Sequence, residues 1–457
     1  MRRLPLVPAL LVAAVLVLPA RALGQLPLDS IVQRKTLPNG LEVIVVHNAA
    51  VPLATALVAV RNGAFTQDSD QAGLAHLYEH LLFHSFRHGP EDFDVEVAML
   101  NGINNGMTSE EVVAYWVTVP SENIEPGIGL LAELLMNAHF SNGALKAERS
   151  VILDEIRRRI ADPDGELDRQ VAQTLWGSGW HRKDVGGDST SLQRISVDQL
   201  KTTYARYYVP NNAALIVTGD VDPARIFSAA EERFGDWKAA PNPFADRIIP
   251  PLRSLERTTA VMVAREVLDI TIVVAIAGPS VSADPGGTYA ADVLFQVLND
   301  PTSAFQRRLV SRGPFQSLSA GYQLLNHTGP IEFRGKTTPE NAEKAIVALL
   351  TELQRLQLLQ DITSDDLAIA RKQRQVWSAL GREQIAALAP DLASWWSVAG
   401  MDYYLSYGDH LTSQTADSLR RFAATYVVGT PRVIGVLGTP AVVTQIGDWL
   451  RRGAPAP

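Results

Sequence analysis

The chain has 457 residues, of which 46% are hydrophobic and 20% charged, a composition typical of a globular protein with two or three domains. Its formal net charge of −8 and its lack of a clustered Lys/Arg run argue against nucleic acid as the main partner. The absence of cysteine excludes a disulfide framework, a thiol nucleophile and a thiolate metal ligand. Any catalytic metal must therefore be held by histidine and carboxylate side chains.

The N-terminal segment has the pattern of an export signal. Two arginines precede an apolar run over residues 4–19, and the sequence ARA at 20–22 supplies the small-x-small pattern that a signal peptidase requires. We predict a signal peptide over residues 1–22 and an exported chain, periplasmic or secreted. The alternative is an uncleaved signal that anchors the chain, although the run is short for a membrane span and contains prolines.

The first half of the chain then reads as strands followed by helices. Strands are predicted at LEVIVVHN and LATALVAVRNG, with Asn39-Gly40 as the turn before the first. Helices are predicted over residues 74–83, around IGLLAELLMNAHF and over GALKAERSVILDEIRRRIAD. The half closes with RYYVPNNAALIVTGDVDPARIFSAAEERFGDW, which reads as strand, turn and amphipathic helix.

The end of the chain repeats the end of this first half. ATYVVGTPRVIGVLGTPAVVTQIGDWL also runs from an aromatic residue through proline, an apolar strand and glycine to a helix ending in Gly-Asp-Trp. The two copies are separated by about half the chain, which indicates an internal duplication.

A proline-rich, aperiodic stretch, KAAPNPFADRIIPPLRSLERT, lies between the halves. We predict an interdomain linker at residues 241–257, with a long surface loop inside one domain as the alternative. The strand-like segment AVMVAREVLDITIVVAIAG restarts the same order of elements and favours the linker. The sequence therefore predicts an α+β fold with two domains, residues 34–240 and 258–455.

The segment GLAHLYEHLLFH, residues 73–84, places two imidazoles and a carboxylate on a predicted apolar helix. His76 and His80 are four residues apart and face the same side, the spacing that lets two imidazoles bind one ion. Glu79 projects toward the same side and is suited to act as a general base on a water beside the metal. A solvated helix face or a buried polar network is the alternative, but unpaired charges are costly on an apolar helix.

A zinc site needs a third protein ligand, and a later predicted helix offers candidates. In AERSVILDEIRRR, Glu148 and Glu155 are seven residues apart, or two helical turns, so they share one helix face. Glu155 follows His80 by 75 positions.

These features resemble those of the pitrilysin, insulin-degrading enzyme and mitochondrial processing peptidase family, M16, whose H-x-x-E-H motif is inverted relative to the commoner zincin order. In that family the third ligand is a glutamate at nearly this separation, preceded by a second glutamate seven residues earlier. TLPNGLEVIVVHNAAVPLATALVAVRNGAF, NGINNGMTSEEVVAYWVTVP, YYVPNNAALIVTGDV and ERFGDW are also similar to family signatures. The resemblance covers about residues 34 to 450.

The resemblance implies two homologous M16-type domains, each a mixed, mostly antiparallel sheet packed with helices. The first domain would hold one zinc ion per chain through His76, His80 and Glu155, with another divalent ion as the alternative. Glu79 would be the catalytic base, and Glu148 would support catalysis.

The resemblance also implies how a peptide substrate binds. Asn105 and Thr108 match the positions of a turn that precedes the family's substrate-binding edge strand. A peptide would lie extended along that edge at about residues 105–119 and pair with it through its backbone. His84 also lies near the motif, but a fourth protein ligand would remove the catalytic water, so we expect it outside the ligand set.

In family members that work alone or as homodimers, the second domain contributes an arginine and a tyrosine that face the zinc. The matching stretch here, NDPTSAFQRRLVSRGPFQSLSAGY, places Ala304 and Gln316 at these two positions, with Arg307, Arg308 or Tyr322 as alternatives.

We therefore expect an exported zinc endopeptidase acting on peptides or unfolded segments, as the catalytic subunit of a two-chain chamber. An M16-like partner carrying the Arg/Tyr pair would complete a heterodimer, with a homodimer as the alternative. The competing hypothesis is a non-catalytic assembly or binding subunit with a residual metal site. The intact base and ligand set favour the enzyme.

Overall fold

The computed structural model describes residues 31–86, 90–253, 255–358, 362–383 and 385–452. The predicted signal peptide, residues 1–22, lies outside these ranges. Within them, no helix combines the length and the apolar character needed to cross a membrane.

The strands of the described residues form two sheets, one in each half of the chain. They are β1 (Val32–Thr36), β2 (Glu42–His47), β3 (Leu53–Val60), β4 (Ile103–Thr108), β5 (Val113–Pro120), β6 (Ala213–Gly219), β7 (Thr259–Ala264), β8 (Ile270–Ala277), β9 (Phe315–Tyr322), β10 (Pro330–Thr337) and β11 (Val433–Gly438).

Helices surround both sheets. They are α1 (Leu74–His84), α2 (Pro90–Met99), α3 (Ile124–Met136), α4 (Asn142–Ala161), α5 (Pro163–Trp176), α6 (Ser189–Arg194), α7 (Val197–Tyr207), α8 (Pro223–Phe234), α9 (Pro285–Asn299), α10 (Ala304–Gln306), α11 (Ala342–Arg355), α12 (Ser364–Glu383), α13 (Ile385–Val398), α14 (Met401–Thr412), α15 (Ala416–Phe422) and α16 (Pro440–Arg451).

The two sheets share one topology, except that the first has the additional strand β1. The first has the strand order β1-β2-β6-β3-β5-β4 and the second β7-β11-β8-β10-β9, so in each the last strand of the half is inserted beside the first strands. Only β2 with β6 and β7 with β11 pair in parallel, and the other pairs are antiparallel. The α+β architecture with two similar, mixed sheets confirms the predicted fold class.

The central strands are buried on both faces, which is why their sequences are continuously apolar rather than alternating. Every residue of β6 is buried, and β8 is buried except at its last residue. One face of each sheet packs on helices of its own half. The other face must be covered by a helix from elsewhere in the chain.

Each half supplies that helix to the other. Helix α13 from the second half packs on the first sheet, where Trp396 is fully buried against strand residues such as Leu57 and Ile216. Helix α5 from the first half packs on the second sheet through Leu167 and Val171. The predicted domain limits and the linker stay predictions, because this exchange interleaves the halves in space.

Local differences from the prediction follow from capping and turn residues. The helix predicted around IGLLAELLMNAHF ends at Met136, and the Ser141 hydroxyl then accepts the backbone N–H of Ala144 to cap α4. The strand-like segment that opens the second half is divided into β7 and β8 by residues 265–269.

Candidate active site

Helix α1 carries the H-x-x-E-H motif and is fixed to the first half by its apolar side. Leu74, Leu77 and Leu81 are buried in the core under the sheet, whereas the motif residues on the other side are only partly buried. The predicted helix over residues 74–83 is confirmed. The apolar residues therefore determine which way the histidines face.

The start of α1 is held by a residue that the motif does not include. Gly73 precedes the helix with φ of +94°, a conformation that favours glycine, and it has no side chain to cap the helix. Instead the buried Gln67 accepts the N–H groups of Gly73 and Ala75, each at 3.0 Å. Gln67 thus satisfies helix donors that would otherwise lack partners.

The structure brings His76, His80 and Glu155 together at the contact between α1 and α4. The two Nε2 atoms are 3.3 Å apart, and Oε2 of Glu155 lies 3.7 Å from Nε2 of His76. One ligand atom from each residue lies within 4.8 Å of the others, and no other such group occurs among the described residues. Two imidazole nitrogens bound to one tetrahedral zinc are separated by ~3.3–3.4 Å, so the donors fit a zinc ion.

Burial favours the neutral form of His76, the form that can bind a metal ion. Burial first, then the charges of His80 and Arg159, lowers the pKa of His76 to about 4. The imidazole is therefore neutral at physiological pH, as a metal ligand must be.

Glu148 lies behind this group and orients His80. Its Oε2 is 2.7 Å from Nδ1 of His80, and its Oε1 is 2.7 Å from Nε2 of His84. The hydrogen bond from His80 is the main cause of the lowered pKa of Glu148. Burial lowers the pKa of His80, but its hydrogen bond to Glu148 and the surrounding carboxylates outweigh burial and raise it. The ionised carboxylate leaves Nε2 of His80 free to face His76, as expected of a carboxylate–histidine–metal arrangement.

His84 points to Glu148 rather than to the ligand atoms. This placement agrees with the expectation that it lies outside the ligand set. His84 and His80 therefore hold Glu148 between them.

Glu79 lies beside the group without belonging to it. Its Oε2 is 4.0 Å from Nε2 of His76. Burial raises the pKa of the Glu79 carboxyl, opposed by Thr108 and His80. A raised pKa brings a carboxyl closer to the range useful for moving protons at neutral pH.

Strand β4 passes directly in front of Glu79. A Cβ atom at Gly106 would lie 3.0 Å from Cγ of Glu79 and 3.3 Å from Phe83, so the absent side chain leaves space for the carboxylate. The motif search did not single out Gly106. A glycine inside a strand often marks a close approach, and this signal alone would have indicated it.

Of the segment predicted to form the substrate-binding edge, residues 105–119, only the part in β4 lies at an edge of the sheet. Among the described residues this strand pairs only with β5, which leaves its other side as a free edge, whereas β5 is paired on both sides by β3 and β4. The prediction of an edge strand running to Val119 was therefore wrong for the part within β5.

The two predicted substrate-binding residues lie on opposite faces of β4. Gly106 and Thr108 are two residues apart and lie on the face toward Glu79. Asn105 lies on the other face and is exposed. Oδ1 of Asn105 accepts the N–H of Gly106 at 2.8 Å. Only Thr108 of the two predicted residues is thus placed beside the carboxylate of Glu79.

Two of the alternatives for the opposing pair are engaged within the second half. Arg308 donates from Nε and Nη2 to Glu352 at 2.8 and 2.6 Å. The Tyr322 hydroxyl donates to the carbonyl of Thr288 at 2.9 Å and lies 3.3 Å from Asp292. Both side chains are thus held by partners within the second half.

The other positions considered for the opposing pair lie on different elements of the second half. Ala304 begins the short helix α10, Gln316 is exposed on β9 and Arg307 is exposed after α10. Strand β9 is an edge strand of the second sheet, as β4 is of the first.

Two family models match consecutive parts of the chain. Residues 42–184 match "Insulinase (Peptidase family M16)", and residues 194–374 match "Peptidase M16 inactive domain". This chain belongs to peptidase family M16. The first match contains the ligand group, and the second contains β7 to β10.

Curated relatives carry zinc protease names. An uncharacterized zinc protease of Mycobacterium leprae is 30% identical over 203 residues, 44% of this chain and 46% of the relative. The match thus spans about half the length of that relative. Zinc protease PqqE of Helicobacter pylori is 26% identical over 388 residues, 81% of this chain and 85% of the relative. These names support a zinc peptidase.

A solved structure has the same fold over nearly its whole length. The crystal structure of a protease from Helicobacter pylori superimposes with a TM-score of 0.77 at 22% identity, covering 89% of this chain and 99% of that one.

Proposed function

We propose that this chain is a zinc-dependent endopeptidase that hydrolyses peptides or unfolded segments. The observation that carries the proposal is the position of Glu79, 4.0 Å from a histidine of the ligand group and packed against β4, an edge strand of the first sheet. A carboxylate suited to act as a base, three side chains suited to hold a metal and an edge strand therefore lie close together, which supports the proposal.

The chemistry follows from the residues at this point. A zinc ion held by His76, His80 and Glu155 would supply Lewis acidity, activating water and polarising the scissile carbonyl. Glu79 accepts a proton from the attacking water at its carboxylate and returns it to the leaving amine. Glu148 keeps His80 in the required orientation throughout.

The free edge of β4 offers a binding mode for the substrate. An extended peptide adds to an exposed edge through main-chain hydrogen bonds, so recognition depends mainly on backbone and shape. Gly106 on β4 has no side chain and so leaves the space beside it to Glu79.

We further propose that the chain is exported and acts with a partner. The export pattern at residues 1–22 supports the first point. The engagement of Arg308 and Tyr322 inside the second half supports the second, because an arginine and tyrosine from another M16-like chain would then complete the chamber.

A non-catalytic binding subunit is the second candidate. The match of residues 194–374 to an inactive-domain model favours it for the second half. The complete set of Glu79 and ligands in the first half favours catalysis.

The test uses the zinc-loaded, monodisperse chain and a quenched unstructured peptide. We expect slow cleavage by the chain alone and a rise that follows a binding isotherm as a chain with the Arg/Tyr pair is added. Full turnover by a monomer or homodimer would contradict the need for a heteromeric partner. No turnover in either case, with zinc bound, would establish the second candidate.

A further inference from the structure

A separate cavity of ≈ 500 Å³ lies in the second half, where α11 and α16 pack over β7 and β11. Its apolar lining includes Met262, Leu350, Ile434 and Leu450, one from each of these four elements. The volume lies in the usual range of small-molecule sites, roughly 300–1,000 Å³.

A buried arginine lines the same cavity. Arg432 is 2% exposed, although arginine is almost never buried without a partner. Its Nε donates to the carbonyl of Thr430 and its Nη2 to that of Val427, each at 3.0 Å. Its Nη1 has no hydrogen-bond partner within the described part of the chain.

The charge of Arg432 is also uncompensated in the described structure. Burial lowers the pKa of Arg432, and no neighbouring carboxylate acts against this effect. An unpaired buried charge is destabilising by several kcal/mol, roughly, so a partner would be favoured here. The two carbonyls fix the orientation of the guanidinium and leave Nη1, which is itself buried, without an acceptor.

The second arginine of the lining does not change this balance. Arg451 is exposed and pairs with Asp448 on the same helix. The cavity thus combines one uncompensated positive charge, that of Arg432, with apolar walls. A ligand with one negative charge and an apolar body would complement both features. The planar fork of an arginine is suited to the two oxygens of a carboxylate.

We propose that this cavity binds a small organic monocarboxylate, whose carboxylate accepts hydrogen bonds from Arg432 and whose apolar body packs on Met262, Leu350, Ile434 and Leu450. The site shares no residue with the ligand group of α1 and α4. It is a property of the second half beyond the proposed peptidase activity, and its test does not depend on that activity.

Gly447 of α16 provides a way to close the cavity. A Cβ atom there would meet Met262 Cγ only at 4.0 Å, so alanine fits without displacement. Leucine at this position would extend into the space next to Met262. The Gly447→Leu variant therefore fills the cavity, and Gly447→Ala is its matched control.

The experiment is calorimetric titration of the full chain with octanoate and, as an uncharged match, 1-octanol. We expect one octanoate per chain and at least tenfold weaker binding of octanol. Arg432→Met should weaken octanoate binding at least tenfold, Gly447→Leu should abolish it, and Gly447→Ala should leave it unchanged. If Arg432→Met fails to fold, the Gly447 pair and the octanol comparison still decide the proposal.

A second arm identifies the source of the carboxylate. N-acetyl-leucine and its amide replace octanoate and octanol. Tighter binding of the free acid than of octanoate assigns the site to a peptide C-terminus, and the reverse order assigns it to a fatty acid. Either order supports a carboxylate site. Failure of both acids to bind at millimolar concentration, or equal binding to Gly447→Leu and the native chain, overturns it.

Discussion

Glu148 of α4 accepts a 2.7 Å hydrogen bond from Nδ1 of His80 on α1. The bond selects the tautomer of His80 in which Nε2 carries the lone pair, 3.3 Å from Nε2 of His76. We therefore expect Glu148 to influence metal binding through His80 and not as a ligand of its own.

We predict that Glu148→Gln weakens zinc binding while leaving the fold intact. The amide has nearly the same size but lacks the negative charge that holds His80, and the loss should be about 10- to 100-fold. Competition with a chelator of known affinity measures it. His84→Gln, which removes only the other partner of Glu148, should have a smaller effect, and an unchanged affinity in Glu148→Gln would contradict this role.

Metal content tests the ligand assignment itself. The native chain should hold about one zinc, and Glu155→Gln should reduce occupancy strongly because only three protein ligands are proposed. Asp154→Asn is the matched control, since Asp154 is exposed on the same helix and pairs with Arg157. Full zinc retention in a His76→Ala, His80→Ala double variant would refute the site.

Gly106→Val should slow peptide hydrolysis without loss of zinc. The new side chain would begin 3.0 Å from Cγ of Glu79 and displace the carboxylate, and a shift of this size costs roughly 100-fold in rate. Gly321→Val is the control, because Gly321 lies on the edge strand of the second sheet with nothing within 4 Å of its Cβ position. Equal rates in the two variants would show that β4 does not constrain Glu79.

Lys183→Met should stabilise the protein below pH 8. Burial chiefly lowers the pKa of Lys183 to about 8, against the attraction of Glu111 and Glu110, and Nζ has no hydrogen-bond partner among the described residues. The unfolded lysine titrates near ~10.4, so below pH 8 the charged form costs the folded state about 3 kcal/mol.

The same shift gives the pH dependence. Between pH 8 and about 10 the folded lysine loses its proton before the unfolded one, so native stability rises and the advantage of Lys183→Met shrinks. Denaturant unfolding at pH 7, 8.5 and 10 checks this. The exposed Lys344→Met is the control, and a gain independent of pH would show that the pKa of Lys183 is not shifted.

Local sequence patterns predicted the parts of the site that lie on one helix. The spacing of His76, Glu79 and His80 determines which face they share, and the apolar residues between them determine which way that face points. The family resemblance supplied Glu155 and Glu148, and the structure places both beside α1. The roles of these residues in catalysis stay predictions.

Features that depend on contacts distant in sequence were not predictable in the same way. The pleat of β4, which separates Asn105 from Thr108, requires knowledge of the strand register. The exchange of α5 and α13 requires knowledge of which sheet face each helix covers, and helical periodicity alone does not identify the partner. Gln67 reaches the start of α1 through a turn that has no motif.

The most direct test of the account compares the native chain with Glu79→Gln, measuring bound zinc and peptide turnover on the same samples with any required partner present. We predict equal zinc content, an unchanged fold and a loss of turnover of roughly 100- to 10,000-fold in Glu79→Gln, the usual contribution of a general acid–base group. Loss of zinc together with activity, or turnover equal to that of the native chain, would contradict it.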